Sequence, residues 1–237
     1  MTFKEILKTK GMEANLVFTE KQLNQFETYY EMLVAKNKVM NLTAITGVED
    51  VAIKHMIDSL LAYDEKLFKG KTLADVGTGA GFPGIPLKIY CSDLNVVLID
   101  SLDKRLRFLN EVIEKLGLTG IKTVHLRAEE AGKDKEHREK YDLVTARAVA
   151  RLSVLAEYCL PLVKKGGTFI ALKGSKYQEE IDNGVKSVKL LGGRLISAKE
   201  VSLPGLDDGR AIVTVKKIGI TPKKYPRKAG VPSKEPL

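Results

Sequence analysis

The stretch from Thr72 to Tyr90, TLADVGTGAGFPGIPLKIY, holds the residues whose types and spacing could do chemistry. A short apolar run, Leu73-Ala74-Asp75-Val76, leads directly into Gly77, Gly79 and Gly81, and a second apolar segment follows. This reads as a strand, a glycine turn and a helix start. Glycines permit positive φ and let a ligand come close to the backbone. The helix N-terminus beyond offers free N–H groups and a positive dipole end, suited to a phosphate or a carboxylate. Pro83 and Pro86 fall in the first helical turn, where a missing N–H costs little. The dinucleotide fingerprint G-x-G-x-x-G fails at its third position, which is Phe82. That disfavours a nicotinamide dehydrogenase. No G-x-x-x-x-G-K-[ST] occurs, so a P-loop is disfavoured too.

The spacing found is G-x-G-x-G behind an acid, Asp75. It is similar to motif I of class I S-adenosylmethionine (SAM) methyltransferases. The physical fit is good, because SAM carries a carboxylate for backbone donors and two cationic groups for acids. A glycine turn that only packs a helix on a sheet would use the same residues. Other strand ends add to the picture. Strand two ends at Asp100, placed to accept bonds from ribose hydroxyls, or else to cap the next helix with Ser101. Strand three ends at Arg127-Ala128-Glu129, where an N–H and a carboxylate could hold an adenine. Strand four ends at Thr145–Ala150 and puts Arg147 by the reaction site, serving either the cofactor or an RNA phosphate.

That fourth strand discriminates between methyl acceptors. Exocyclic-amine methyltransferases usually carry an Asn/Asp-Pro-Pro-aromatic segment there, and this chain has none. Methylation of pyrimidine C5 needs a cysteine nucleophile. The two cysteines, Cys91 and Cys159, sit in apolar runs and read as core. Lys133-Asp134-Lys135-Glu136 spells the letters of a hydroxyl-methylating tetrad, but contiguously and in a charged run that reads as a solvated face. An acceptor that needs no base suits what remains. Guanine N7 is one, since its lone pair lies in the ring plane and carries no proton. Aligning it with the methyl can supply roughly 7–11 kcal/mol by proximity. No catalytic residue and no metal ligand is assigned.

Three segments must position these residues. Residues 1–68 read as a helical extension. Thr19-Glu20-Lys21-Gln22 is a capping box, and Leu23, Phe26, Tyr30, Leu33 and Val34 follow at helical spacing up to about Asn41. A second helix, from about Glu49 to Tyr63, carries His55 and Asp58 on one face. They read as a substrate contact or as a pair fixing the helix to the main domain. Over residues 69–220, strand-like runs at Leu73–Val76, Val96–Asp100, Thr123–Leu126, Leu143–Ala146 and Thr168–Leu172 alternate with helical stretches at Lys104–Leu116, Leu152–Val163 and Tyr177–Leu191. That pattern predicts a doubly wound α/β fold with a mostly parallel sheet. Two more strands are expected near Arg194–Ser197 and Ala211–Val215. Residues 221–237, with four prolines, read as an extended basic tail. From Lys216 onward there are seven basic residues and one acid, so +6 of the chain's +9 lies there. Such a cluster fits a polyanion such as RNA, or a solvated tail. With 237 residues, no apolar leader and no run of membrane-spanning length, the chain reads as a soluble, cytoplasmic protein with no membrane partner.

Taken together, DVGTGAGFPGIPLKI, DSLDKR, RAE, YDLVTARAVARLSVL, ALKGSK and KYPRKAGVPSKEPL, with NLTAI and KHMIDSL upstream, resemble the RsmG (GidB) family from about Phe26 to Leu237. The resemblance implies a class I SAM-dependent methyltransferase with a helical N-terminal extension. It implies methyl transfer from SAM to N7 of a guanine in the 530 loop of 16S rRNA. It also implies cofactor contacts from Gly77, Phe82, Ala128, Glu129 and Arg147, to which the residue reading adds Gly79 and Asp100. RNA contacts are not fixed by it. The candidates are Lys54, His55, Arg105, Arg151, Lys173, Lys224 and Arg227. The expected partner is 16S rRNA or the small ribosomal subunit, bound by a monomer. Two other functions fit the same residues: a SAM methyltransferase acting on a small molecule, and a non-catalytic RNA-binding protein that keeps the fold.

Overall fold

The computed structural model describes residues 1–237. Two helices open the chain. Both α1 (Phe3–Glu13) and α2 (Glu20–Met40) start at a capping box, Thr2 with Glu5 and Thr19 with Gln22. Each box satisfies two of the N–H groups that a helix start leaves free. Asn41 ends α2 in the left-handed region, a conformation asparagine tolerates. The next rod, α3, is α-helical over Val48–Val51, π-helical over Ala52–Ile57 and α-helical again over Asp58–Leu60. Sequence periodicity had predicted one plain helix. The π turns fall on Lys54 and His55, both within hydrogen-bond reach of Arg147, and such bulges gather at functional sites.

Seven strands form one sheet in the order β3-β2-β1-β4-β5-β7-β6. They are β1 (Thr72–Val76), β2 (Asn95–Asp100), β3 (Ile121–His125), β4 (Tyr141–Arg147), β5 (Val163–Lys173), β6 (Gly193–Val201) and β7 (Arg210–Lys217). The first five are parallel, and β7 pairs antiparallel with both β5 and β6. This is the doubly wound, mostly parallel α/β sheet that the alternation of strands and helices predicted. The connections reverse direction between β1 and β4, which is where open α/β sheets bind ligands. All seven strands were expected. β3 begins two residues early, at Ile121, because it pairs with β2 from Val96 onward. The helix after β4 stops at Cys159, not Val163, because Val163 already pairs with Tyr141.

Alternate residues of β1 face opposite cores. Leu73 joins Phe26, Tyr29, Leu33, Met56 and Leu109, whereas Ala74 and Val76 join Leu155, Cys159 and Phe169. The helices before residue 69 therefore share one hydrophobic core with the sheet. Cys91 and Cys159 are free and buried, as their apolar settings suggested. No helix is long and apolar enough to cross a membrane.

The C-terminal segment departs from the extended tail predicted for it. Tyr225 and Pro226 are buried, and Val231–Lys234 forms one short helix. Arg138 holds the segment, donating to the carbonyls of Thr221 at 2.8 Å and Tyr225 at 2.8 Å. Lys217 is buried too, bonded to Thr221 Oγ1 and paired with Glu139 at 3.1 Å. Burial brings its ammonium down to about 8. Thus the run Lys133–Lys140 is not wholly a solvated face. Its first residues are exposed, and Arg138 and Glu139 clamp the chain end.

Candidate functional site

The turn after β1 begins with three glycines at positive φ, at +68, +61 and +107 degrees for Gly77, Gly79 and Gly81. A side chain at Gly81 is excluded as well by space, since a Cβ there would lie 2.7 Å from the Tyr29 hydroxyl. That hydroxyl donates to the Ala80 carbonyl at 2.6 Å, so α2 fixes the loop from behind. Asp75 fixes it from below. One carboxylate oxygen accepts from Thr78 Oγ1 at 2.6 Å and from the Gly84 N–H at 2.9 Å, the first residue of the next helix (Gly84–Tyr90). The other oxygen is buried with no partner. Burial, only partly offset by those two bonds, pushes the Asp75 carboxyl up to about 6.

Asp100, the last residue of β2, is buried at the mouth of this loop. Its oxygens accept from the N–H groups of Gly79 and Leu102, both at 2.9 Å, and from Arg105 at 3.4 Å. Beyond β3, Glu129 is buried and accepts from the Gly230 N–H at 2.8 Å. Its second oxygen has no protein partner. Gly77, Asp100, Ala128 and Glu129 line a single cleft of about 400 Å³. Its far wall is Tyr158, Gly230 and Ser233, so the C-terminal segment closes the cleft. Sequence reasoning missed that wall, because an exposed-looking basic tail carries no sign of where it docks.

Phe82 and Arg147 stand apart from this cleft. Phe82 is buried between Tyr29 and His55, whose ring stacks on it at 4.5 Å. The Arg147 guanidinium lies 4.9 Å over the Phe82 ring. It donates to Asp58 at 2.6 Å and to the Lys54 carbonyl at 3.1 Å. His55 and Asp58 therefore do not pair with each other; both meet Arg147. The other Asp58 oxygen accepts from Arg210 on β7 at 2.9 Å. No sequence signal marked Arg210, which is far from Asp58 in the chain. Burial and the neighbouring Arg147 lower His55 to about 4, so its imidazole is neutral. Lys54, His55, Asp58, Arg147 and Arg210 line a second cavity of about 540 Å³, and Phe82 lies behind them.

Of the seven RNA-contact candidates, five are already engaged. Lys54 pairs with Asp50 at 2.7 Å, and His55 is buried against Thr43 and Arg147. Arg105 turns to Asp100 inside the cofactor-sized cleft. Lys173 pairs with Glu180 at 2.5 Å and Arg227 with Glu157 at 2.7 Å. Arg151 and Lys224 are exposed and form no ion pair, Lys224 lying 5.2 Å over the Tyr225 ring.

Comparison with known proteins adds to this geometry. A family model described as rRNA small subunit methyltransferase G matches residues 22–207. The chain is 52% identical over 238 residues to the ribosomal RNA small subunit methyltransferase G of Lactobacillus johnsonii, covering 99% of this chain and 98% of that one. Among solved structures it resembles the fibrillarin pre-rRNA processing protein of Methanococcus jannaschii, with a TM-score of 0.53 at 14% identity over 69% of this chain and 74% of that one. It also resembles M. jannaschii TYW2 in complex with AdoMet, with a TM-score of 0.51 at 18% identity over 64% and 71% of the two chains. At such identities these two likenesses speak to the fold alone.

Proposed function

The chain belongs to the rRNA small subunit methyltransferase G family, a SAM-dependent rRNA methyltransferase, and from that premise we propose that it methylates N7 of a guanine in the 530 loop of 16S rRNA. The observation that carries the cofactor half of this reading is the cleft itself. It brings Gly77, Asp100, Ala128 and Glu129 to one wall, at the carboxyl ends of β1, β2 and β3. The donor set fits SAM. Asp100 and the free oxygen of Glu129 are acceptors for ribose hydroxyls and an adenine amine. Gly77, which lines the cleft, presents a backbone without a side chain to the amino-acid end, while Gly79 acts behind it by donating its N–H to Asp100. When bound, SAM supplies an electrophilic methyl on a sulfonium. We assign Phe82 and Arg147 to the methyl-bearing end of the site, where Arg147 is braced by Asp58 and stacks over Phe82.

The acceptor half rests on what the site lacks any need for. His55 is neutral, but its ring nitrogens are taken up by Thr43 and Arg147. Asp58 is spent on two guanidinium groups. Neither is free to take a proton, and guanine N7 has none to give. Alignment and exclusion of water then do the catalysis. The test is methyl transfer from labelled SAM to small subunits or rRNA from cells that lack this enzyme, with the label mapped by cleavage at 7-methylguanine. A single labelled guanine in the 530 loop supports the reading. Label elsewhere in rRNA overturns the target, and no label with SAM bound overturns the acceptor class.

A further inference from the structure

The second cavity adjoins the first, and the two share the Ala148-Val149 turn as a wall. Ala148 holds a φ of +55 degrees, which a non-glycine residue rarely adopts. Strained positions of this kind cluster at ligand-binding turns. The second cavity thus opens off the same turn as the cleft proposed for SAM. The chemistry of the cavity then restricts the acceptor.

Four cations line it, and every one is already paired. Arg147 and Arg210 share Asp58, Arg210 also holds Asp208 at 2.6 Å, Lys173 holds Glu180 and Lys54 holds Asp50. A phosphate entering would meet the carboxylates that already neutralise these cations, so the cavity offers it little net positive charge. A neutral heteroaromatic ring needs none. Ile45, Leu172 and Ile212 offer it aliphatic walls. Of its five N–H groups, Arg210 spends three on Asp208 and Asp58 and keeps two with no protein partner. Those two can donate to a carbonyl oxygen. In guanine an acceptor, O6, lies beside N7, whereas adenine carries an amino donor there. A donor at this point favours guanine.

We propose that the second cavity is the acceptor pocket. It receives the target guanine unstacked from its RNA, with Arg210 donating to O6 and Asp58 holding both arginines in place. Enzymes that act on a base commonly extrude it into such a pocket. This inference rests on the guanine-N7 reading and deepens it. As the N7 lone pair forms its bond to the methyl carbon, the S–CH3 bonding pair returns to sulfur. Positive charge passes from the sulfonium to the purine, and no proton moves. A pocket whose cations are all matched by carboxylates tolerates that cationic product.

Two variants test the assignment. Arg210→Gln removes the O6 donor, and Ala150→Trp fills the cavity from its rim while leaving Asp58 and both arginines in place. For each, kcat/KM on unmethylated 16S rRNA is measured beside SAM affinity by calorimetry. The expected result is a loss of about tenfold or more in kcat/KM, with SAM affinity within about twofold of the parent. Unchanged kcat/KM in the folded Ala150→Trp protein overturns the pocket, and so does a matching loss of SAM affinity in both variants. The two readings fail separately. If the parent enzyme labels a different atom and both variants still lose that transfer, the pocket stands and the guanine-N7 assignment falls.

Discussion

A Cβ placed on Gly77 would lie 2.7 Å from Val149 Cγ2, in a residue whose φ of +68 degrees already excludes most side chains. Gly77 and Val149 both line the cleft proposed for SAM, so the clash distorts the cleft and not the core. Gly77→Val is therefore expected to lower SAM affinity at least tenfold, roughly the cost of a strained backbone plus an overpacked contact. Calorimetric titration checks this, with circular dichroism to establish folding; retained affinity in a folded protein would remove the glycine loop from the site. Asp75 makes a prediction in pH. Its folded-state value of about 6 lies above the ordinary 3.8, so the native state holds the proton more tightly than the unfolded chain. The stability it contributes is complete below pH 3.8 and is lost as pH rises through 6. The difference is about 3 kcal/mol at most. Asp75→Asn keeps an acceptor for Thr78 and Gly84 and cannot ionise. Its Tm relative to the parent should climb between pH 4 and 6, and a flat difference would refute a neutral Asp75. At this scale the sequence was partly legible. Asp75, Asp100 and the glycines follow one another along strand ends, where local order fixes what a side chain can reach. Arg210 was not legible, because its partner Asp58 comes from another element and no spacing rule joins them.

Helices and strands were easier to read than the segment that closes the site. Capping boxes, period-two alternation and glycine stops act over a few residues, so the start of α2 and the register of β1 and β2 follow from local chemistry. The C-terminal segment obeys different rules. Its four prolines forbid regular ladders, and what orders it is the set of carbonyls it offers to Arg138 and the Arg227–Glu157 pair. Those partners lie in a charged loop and in the helix Leu152–Cys159, and nothing in the segment itself announces them. This makes the segment part of the cleft proposed for SAM, since Gly230 both lines it and donates to Glu129. Arg138→Ala should free the carbonyls of Gly132, Thr221 and Tyr225 together. The expected loss of stability is about 1–3 kcal/mol, the cost of leaving partly buried groups unpaired. Urea denaturation measures it. SAM affinity should fall with it, because the cleft loses its far wall; unchanged affinity would make the segment a bystander to cofactor binding.

Across the whole molecule, the net charge of +9 is less available than its total suggests. Lys217 and Arg227 are consumed by Glu139 and Glu157, and Lys54 and Lys173 by Asp50 and Glu180. What the chain end leaves exposed and unpaired is Lys223, Lys224 and Lys228, with Lys234 further on, and the first three lie together in sequence as a short row. Exposed, unpaired lysines bind phosphates by releasing counterions, and each contact contributes a slope of roughly 0.7 to 0.9 to the logarithmic salt dependence. Replacing the first three with glutamine should therefore flatten that slope by about 2 to 3 when RNA binding is followed from low to moderate salt. Methyl transfer should weaken through KM for RNA, while kcat and SAM affinity hold, because these lysines lie outside both cavities. A triple variant with an unchanged slope would move the RNA path elsewhere on the surface, Arg151 being the other unpaired candidate cation. A variant that lost SAM affinity instead would mean that the row serves to seat the C-terminal segment. The same substitutions thus separate a surface that carries RNA to the site from a surface that merely keeps the site closed.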